Sequence, residues 1–464
     1  MTDLHELSAL EQAAAIRRGE LSPAELVAHQ LARIDRLNSD YGAFITVTSD
    51  RAMAAAAFVR APGSPLAGVP TAIKDLTPTA GVRTTYGSRV HADSVPTVDA
   101  HSVTLLREAG LISLGKTTTP EFGMVAYTDN DLVGPARTPW NREYGAGGSS
   151  GGAAVAVALG LVPVAHGSDG GGSIRIPASL CGVFGIKPSR GRVSAGPDTV
   201  DITGMSVQGP IARTVRDAAA LLDVLAVPMP GDPYWAPPLP PGETFLGHAD
   251  RDPGRLRIGR YAVPASGQDV DPVCLAAWDH ASGLLEGLGH EIEDIPTPFP
   301  AEIVRSFATC WAVRSLGHAV PPEQESLLRP VTRAWREYGR KIDGADFAAA
   351  IATMQVVAGR SIRATADYDV VLTPTLATAP QPVAHFAEDD PEANLRRQAA
   401  FSAFTSVYNM TGQPAVNIPL HWTDDNLPVG VSLIGRPADE ATLIALSAQL
   451  EAAHPWQHRR PPAW

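Results

Sequence analysis

Two serines stand 24 residues apart in glycine-rich segments, Gly147-Gly148-Ser149-Ser150-Gly151-Gly152 and Ser168-Asp169-Gly170-Gly171-Gly172-Ser173-Ile174-Arg175. Glycines beside a serine leave backbone N–H groups uncovered and reach φ/ψ regions closed to other residues. That is how an oxyanion hole is built for the tetrahedral intermediate of acyl transfer. Serine is a weak nucleophile and must be paired with a base. Lys74, in the apolar run Thr71-Ala72-Ile73-Lys74-Asp75, can serve if burial lowers its pKa from about 10.4 towards neutrality. The bland alternative is an ion pair with a carboxylate such as Asp75. Adjacent strand residues point to opposite faces, however, so Asp75 is an awkward partner.

Two other patterns compete with this reading. Gly110-Leu111-Ile112-Ser113-Leu114-Gly115-Lys116-Thr117 satisfies the phosphate-loop expression. Such a loop follows a strand and opens a helix, whereas here a helix precedes, the middle residues are of buried-strand type, and Pro120 follows closely. The first serine segment also satisfies G-x-S-x-G, centred on Ser149 or Ser150. That elbow needs an apolar strand before the serine and a histidine partner. Trp140 to Ala146 is no such strand, and the nearest downstream histidine, His166, reads as ordinary loop or core. His290-Glu291 lacks the second histidine of a zinc helix, so no metal is expected.

The elements that must carry these residues can be read from periodicity and punctuation. Residues 4–38 form two helices, the second opening at Ser22-Pro23-Ala24-Glu25 with an N-cap serine, an N1 proline and a capping-box glutamate. The run at Lys74 is a strand, Ser102–Ala109 a helix stopped by Gly110, and 111–114 the next strand. Helix and strand alternate, which predicts a mixed or parallel sheet. Small apolar residues from Ala153 to Leu161 make a helix buried on every side, and it joins the two serine segments. Residues 228–241 are a proline-rich surface passage, 369–374 and 429–434 are further interior strands, and 454–464 are loosely packed.

Composition sets outer bounds. The chain has 464 residues, 44 % hydrophobic and 19 % charged, with a formal net charge of -12. Nucleic acid has no basic patch to bind, and no apolar run reaches the roughly 20 residues that span a bilayer. Cys181, Cys274 and Cys310 lack metal spacing and are odd in number, so they read as free thiols in a reducing cytoplasm. Cys181 has nothing basic beside it and reads as core.

Beyond the serine segments, Gly68-Val69-Pro70 through Lys74-Asp75, Gly115-Lys116-Thr117 through Gly123, Cys181 to Pro188 and Gly209 to Thr214 make the chain closely resemble the amidase signature family. Gly412 to Pro419 and Pro428 to Gly435 extend the resemblance more weakly, so that it covers nearly the whole length. The family includes bacterial amidases, aryl-acylamidases and the A subunit of glutamyl-tRNA amidotransferase. The resemblance implies one α/β domain over residues 1–464, with α/β/α layers around a large mixed, mostly parallel twisted sheet. Its parts are N-terminal helices (about 4–38), a catalytic core (about 60–225) and a C-terminal part (about 250–455) that completes sheet and pocket.

Carried over by residue, the resemblance makes Ser173 the nucleophile, Ser149 the bridging serine after a cis Gly148–Ser149 bond, and Lys74 the base. The N–H groups of Gly170, Gly171, Gly172 and Ser173 form the oxyanion hole. Asp169 and Arg175 brace that loop, Ser150 joins the hydrogen-bond network, and Gly123 and Ser149 contact substrate. For Asp169 and Arg175 a purely structural ion pair is an equal reading. Two departures stand out: Thr118 where many relatives have asparagine, and Ser432 where glutamine is common. The expected activity is hydrolysis of aryl or alkyl amides without a cofactor, extending to esters and carbamates. The alternative is a glutamine-hydrolysing amidotransferase subunit. A homodimer is implied by resemblance alone. Segments 123–137, 300–345 and 375–405 are the expected pocket walls, with Trp311, Trp335, Tyr338, Phe401 and Phe404 as apolar candidates that are equally readable as core.

Overall fold

The run at Lys74 forms a strand at Pro70–Lys74, every residue of which is buried, and this strand lies inside one large sheet. The computed structural model describes residues 3–59 and 63–464. Among them, eleven strands are hydrogen-bonded together: β1 (Phe44–Val47), β2 (Pro70–Lys74), β3 (Ile112–Thr117), β4 (Val164–Asp169), β5 (Phe184–Lys187), β6 (Val207–Ala212), β7 (Arg257–Arg260), β8 (Glu291–Asp294), β9 (Val370–Pro374), β10 (Ala415–Trp422) and β11 (Pro428–Gly435). Their spatial order is β1-β3-β2-β4-β6-β5-β10-β11-β9-β7-β8. The pairing of β5 with β10 joins strands from the two halves of the chain.

The mixed sheet is as expected, but the expected parallel majority is corrected. Six of the ten pairings are antiparallel and four are parallel. The connections explain the difference. β2 reaches β3 through the helix His101–Glu108, and β7 reaches β8 through the helix Pro272–Gly287, long crossovers that return the chain in the same direction. β10 and β11 are joined by a short turn in which Asn426 takes φ 63°, and a short turn reverses direction.

Period-two alternation supplies the layers. Ile73, Val164 and Ala212 pack into one cluster with the helices Val215–Leu225, Pro272–Gly287 and Glu440–Ala453. Their neighbours Ala72, Ala165 and Ile211 pack into another with the helices Pro23–Tyr41 and Gly151–Ala158. Helices therefore cover both faces. The Ser22–Glu25 capping box is present, and Ser8 and Glu11 make a second one before the helix Ala9–Arg17.

One packing expectation is corrected. The last residues are anchored rather than loose: Trp456 is 2 % exposed, its Nε1 donates to Arg213 O (3.0 Å), and Trp464 lies under the guanidinium of Arg213. Aromatic rings outweigh the polar, proline-bearing composition.

The Gly115-Lys116-Thr117 run belongs to β3 and does structural work. Lys116 is buried and donates to Thr77 O (2.5 Å), Thr84 Oγ1 (2.8 Å) and Thr79 Oγ1 (3.1 Å), which leaves no ammonium face for a phosphate. Gly115 has φ +149°, and a Cβ there would come within 2.1 Å of Thr46 O on β1. Gly115→Ala is therefore expected to destabilise the protein by about 2–3 kcal/mol, measured by urea denaturation. An unchanged midpoint would contradict this backbone contact.

Candidate active site

The parallel strands β2 and β4 are neighbours, and their C-terminal ends carry Lys74 and Ser168-Asp169. The two serine segments close over this edge. The first runs from the cis Gly148–Ser149 bond into the helix Gly151–Ala158, and the second leaves β4 and turns into the helix Arg175–Cys181. The Ser150 N–H donates to Ser173 O (3.1 Å), which ties one segment to the other.

Lys74 is fully buried. Its Nζ is hydrogen-bonded to Ser149 Oγ (2.7 Å) and Ser168 Oγ (3.0 Å) and donates to Ser168 O (3.3 Å). Desolvation brings its pKa down to about 7, against an opposing pull from Asp169. Asp75 is not its partner: that carboxylate accepts the Thr85 N–H (2.9 Å) and hydroxyl (2.5 Å) and lies 3.8 Å from Lys116 Nζ. Ser149 and Ser173 are both buried. Ser173 lines a cavity, and no hydrogen bond joins its hydroxyl to Ser149 among the described residues. Gly123 lies against Ser149. It has φ +66°, and a Cβ there would be 3.2 Å from Ser149 Oγ.

Asp169 organises the second segment. Its carboxylate accepts the Gly172 N–H (2.7 Å), the Ile174 N–H (3.1 Å), Arg175 Nε (3.0 Å) and Nη2 (3.1 Å), and Asn409 Nδ2 (2.9 Å). Burial alone raises a carboxyl pKa, but Arg175, Lys187 and Asn409 outweigh it and hold Asp169 well below the usual range. One of the four expected oxyanion donors is thereby corrected: the Gly172 N–H is committed to Asp169. The N–H groups of Gly170, Gly171 and Ser173 have no protein acceptor among the described residues.

Ser150 is bonded to Ser168 on the second segment. Its hydroxyl donates to Ser168 O (3.0 Å) and accepts the Ser168 N–H (3.2 Å). Three contributors escaped the sequence reading. Ser168 lies inside the quoted motif, yet only strand register turns it to Lys74. Thr405, which donates to Gly171 O (2.6 Å), and Asn409, which bonds Asp169 and Arg175 (2.8 Å), are more than 230 positions away in sequence and carry no local signal. His166 is buried against Gln208 (2.7 Å), with its pKa lowered by burial to about 4. Cys181 is buried and its thiol is pushed well up by desolvation. No group of three or more His, Cys, Asp or Glu side chains is placed to hold a metal ion among the described residues.

The cavity beside Ser173 holds about 360 Å³, within the range of small-molecule sites. Met124, Ile176, Phe307, Trp311, Trp335 and Val407 line it, and among the described residues Arg396 is its one charged lining residue. Trp311 Nε1 donates to Met124 O (3.0 Å), so the indole shows its apolar surface. All three expected wall segments contribute. Phe401 and Phe404 are core instead, each 1 % exposed, and Tyr338 borders a separate groove with Glu302 and Lys341. Neither Thr118 nor Ser432 lines the cavity.

Comparison with known proteins gives the family and the fold. The Amidase family model matches residues 25–444. The protein named "Putative amidase AmiB2" of Mycobacterium tuberculosis (strain ATCC 25618 / H37Rv) is 41 % identical, over 99 % of each chain. The solved structure of 6-aminohexanoate cyclic dimer hydrolase superposes with a TM-score of 0.91 at 32 % identity, over 100 % of both chains. A bacterial aryl acylamidase structure superposes with a TM-score of 0.86 at 27 % identity, over 98 % of both.

Removing the charge of Asp169 strands Arg175 in a site where both side chains are 0 % exposed. Asp169→Asn is expected to cost about 3–5 kcal/mol of stability, read as a lowered denaturation midpoint. A loss under about 1 kcal/mol would show that the pair does not hold the loop.

Proposed function

The chain belongs to the amidase signature family and is an amide-cleaving hydrolase, and from that premise we propose that it hydrolyses aryl or alkyl amides through a Ser173–Ser149–Lys74 relay and an acyl-enzyme. The observation that carries the proposal is the short contact between Lys74 Nζ and Ser149 Oγ, made by a lysine whose pKa burial lowers to about 7. A neutral amine has two N–H groups and one lone pair. Ser168 O and Ser168 Oγ can take the two protons, leaving the lone pair for the Ser149 hydroxyl. The three contacts thus accommodate a neutral lysine that accepts the Ser149 hydroxyl proton.

In the proposed acylation, Ser149 passes its proton to Lys74 and receives that of Ser173, whose Oγ attacks the carbonyl carbon. The N–H groups of Gly170, Gly171 and Ser173 receive the oxyanion, and one such donor is worth about 3 kcal/mol in a serine hydrolase. As the C–N bond breaks, the proton returns along the relay to the departing nitrogen. Water then attacks the acyl-enzyme by the same path and releases the acid. Ser173 must come within reach of Ser149 for this. Catalytic hydrogen bonds often tighten only when substrate binds.

The apolar cavity walls support aryl or alkyl amides as substrates, and the same acyl chemistry extends to esters and to carbamates. The glutamine-hydrolysing alternative has less support. The single charged lining residue, Arg396, cannot match both the ammonium and the carboxylate of a free amino acid. Small neutral substrates, no added cofactor and a cytoplasmic setting for three free, buried thiols complete the reading.

Anilides, primary amides, aryl esters and carbamates assayed with the protein and its Ser173→Ala variant test the assignment. The expected loss is at least about 10³-fold in kcat/KM, and undiminished turnover by the variant would remove Ser173 from the mechanism. The pH dependence tests the base. Since the neutral amine is the active form and its pKa is lowered, kcat/KM should rise with pH up to about 7 and then level off. Burial brings Lys187 to about 7 as well, so the same profile is expected to persist in Lys187→Met. A profile lost in that variant would reassign the titration.

A further inference from the structure

Three stretches distant in sequence wall the cavity: Met124 to Ala126, the helix Pro330–Arg340 with Trp335, and the helix Pro391–Phe401 with Leu395 and Gln398. One side chain reaches towards all three. Arg329, just before the Trp335 helix, is 15 % exposed. Its Nη2 donates to Asp129 Oδ2 (3.0 Å), its Nε lies 3.0 Å from Glu388 Oε1 as an ion pair without a hydrogen bond, and Nη1 lies 3.6 Å from Asp131 Oδ1. Its backbone N–H donates to Glu121 Oε2 (2.8 Å), two residues before Gly123. Glu388 carries the link onward. Tyr127 Oη donates to Glu388 Oε1 (2.6 Å), Asn394 Nδ2 donates to Tyr127 Oη (3.2 Å), and Gln398, itself bonded to Asn394, accepts the Ala126 N–H (2.9 Å). A continuous polar chain therefore runs behind the apolar lining, from one wall to the next.

Charge decides what the guanidinium does there. Asp129, Asp131 and Glu388 converge on a single cation, and without it the three carboxylates repel one another across the seams of the walls. A lysine cannot replace it fully, since a point charge lacks the planar fork that faces several carboxylates at once. We infer that Arg329 is a positioning residue that sets the width of the cavity, and hence the size of substrate group accepted, by clamping the Asp129, Glu388 and Trp335 segments together. This rests on the proposed seating of substrate in the cavity beside Ser173.

The test compares acetamide, too small to reach the walls, with a bulky anilide such as hexananilide. Arg329→Met is expected to raise KM for the anilide by about tenfold or more while kcat for acetamide changes by less than about twofold. Adding Asp129→Asn and Glu388→Gln removes most of the repulsion and should recover most of that KM. Equal losses on both substrates, an unchanged anilide KM, or no recovery would overturn the inference. Where Arg329→Met does not fold, Arg329→Lys is the probe, with an intermediate rise in the anilide KM expected and none overturning it. Anilide binding to Ser173→Ala, followed by tryptophan fluorescence with and without Arg329→Met, separates the two readings. A weakened dissociation constant supports the clamp even if Ser173 is not the nucleophile. Binding that is unaffected by Arg329→Met, and also by Phe307→Arg placed in the cavity wall, would instead show that the substrate sits elsewhere.

Discussion

Everything at this site depends on a lysine held without water. Lys74 has no solvent to stabilise a positive charge, and its nearest oxygens are hydroxyls and a carbonyl rather than a carboxylate. Desolvation therefore outweighs the attraction of Asp169, and the amine becomes neutral near pH 7. The sheet makes this possible. β2 lies between β3 and β4, and helices on both faces exclude water from its end. Asp75, one residue on, points away: its Oδ2 accepts from Thr85, and its Oδ1 faces Lys116 at 3.8 Å. Had it turned towards Lys74, the ion pair would have favoured a charged lysine.

Asp169 performs the complementary task at the end of β4. A carboxylate so near Lys74 raises its pKa, yet this one is engaged by Arg175, Asn409 and two backbone N–H groups. Its charge is largely spent on shaping the turn. That engagement also consumes the Gly172 N–H, so the glycine run has two uses: one donor anchors the loop, and its neighbours remain open. Asn409 belongs to the C-terminal half of the chain, so the geometry of the N-terminal serine loops depends on the assembled sheet.

Legibility followed the range of the interactions. The Lys74 strand, the capped helix at Ser22 and the helix between the serine segments were readable because periodicity and caps are local. The glycine runs exposed the serines for the same reason. The parallel majority was misjudged because alternation of helix and strand reports crossovers, not the returns that bring β5, β6, β10 and β11 together antiparallel. Phe401 and Phe404 were indistinguishable from lining residues because an aromatic side chain reads alike in a core and in a cavity wall. Asn409 and Thr405 were invisible, since nothing near them in sequence refers to Asp169 or Gly171.

Three fully buried lysines show why residue type alone does not identify a base. Lys116 is surrounded by oxygens from Thr77, Thr79 and Thr84 with Asp75 close by, and burial lowers its pKa only to about 8. Lys187 is brought to about 7 by burial and by Arg175, but its hydrogen bond goes to Pro188 O (3.0 Å). Only Lys74 combines a lowered pKa with direct contact to a serine hydroxyl beside an apolar cavity. Desolvation makes a lysine a candidate for proton transfer, and contact with a serine hydroxyl beside a cavity that can admit substrate separates Lys74 from Lys116, whose threonine hydroxyls lie in the core. The local sequence announced the first condition through the apolar run around Lys74. The second required Ser149, 75 positions on, to be folded back against the strand.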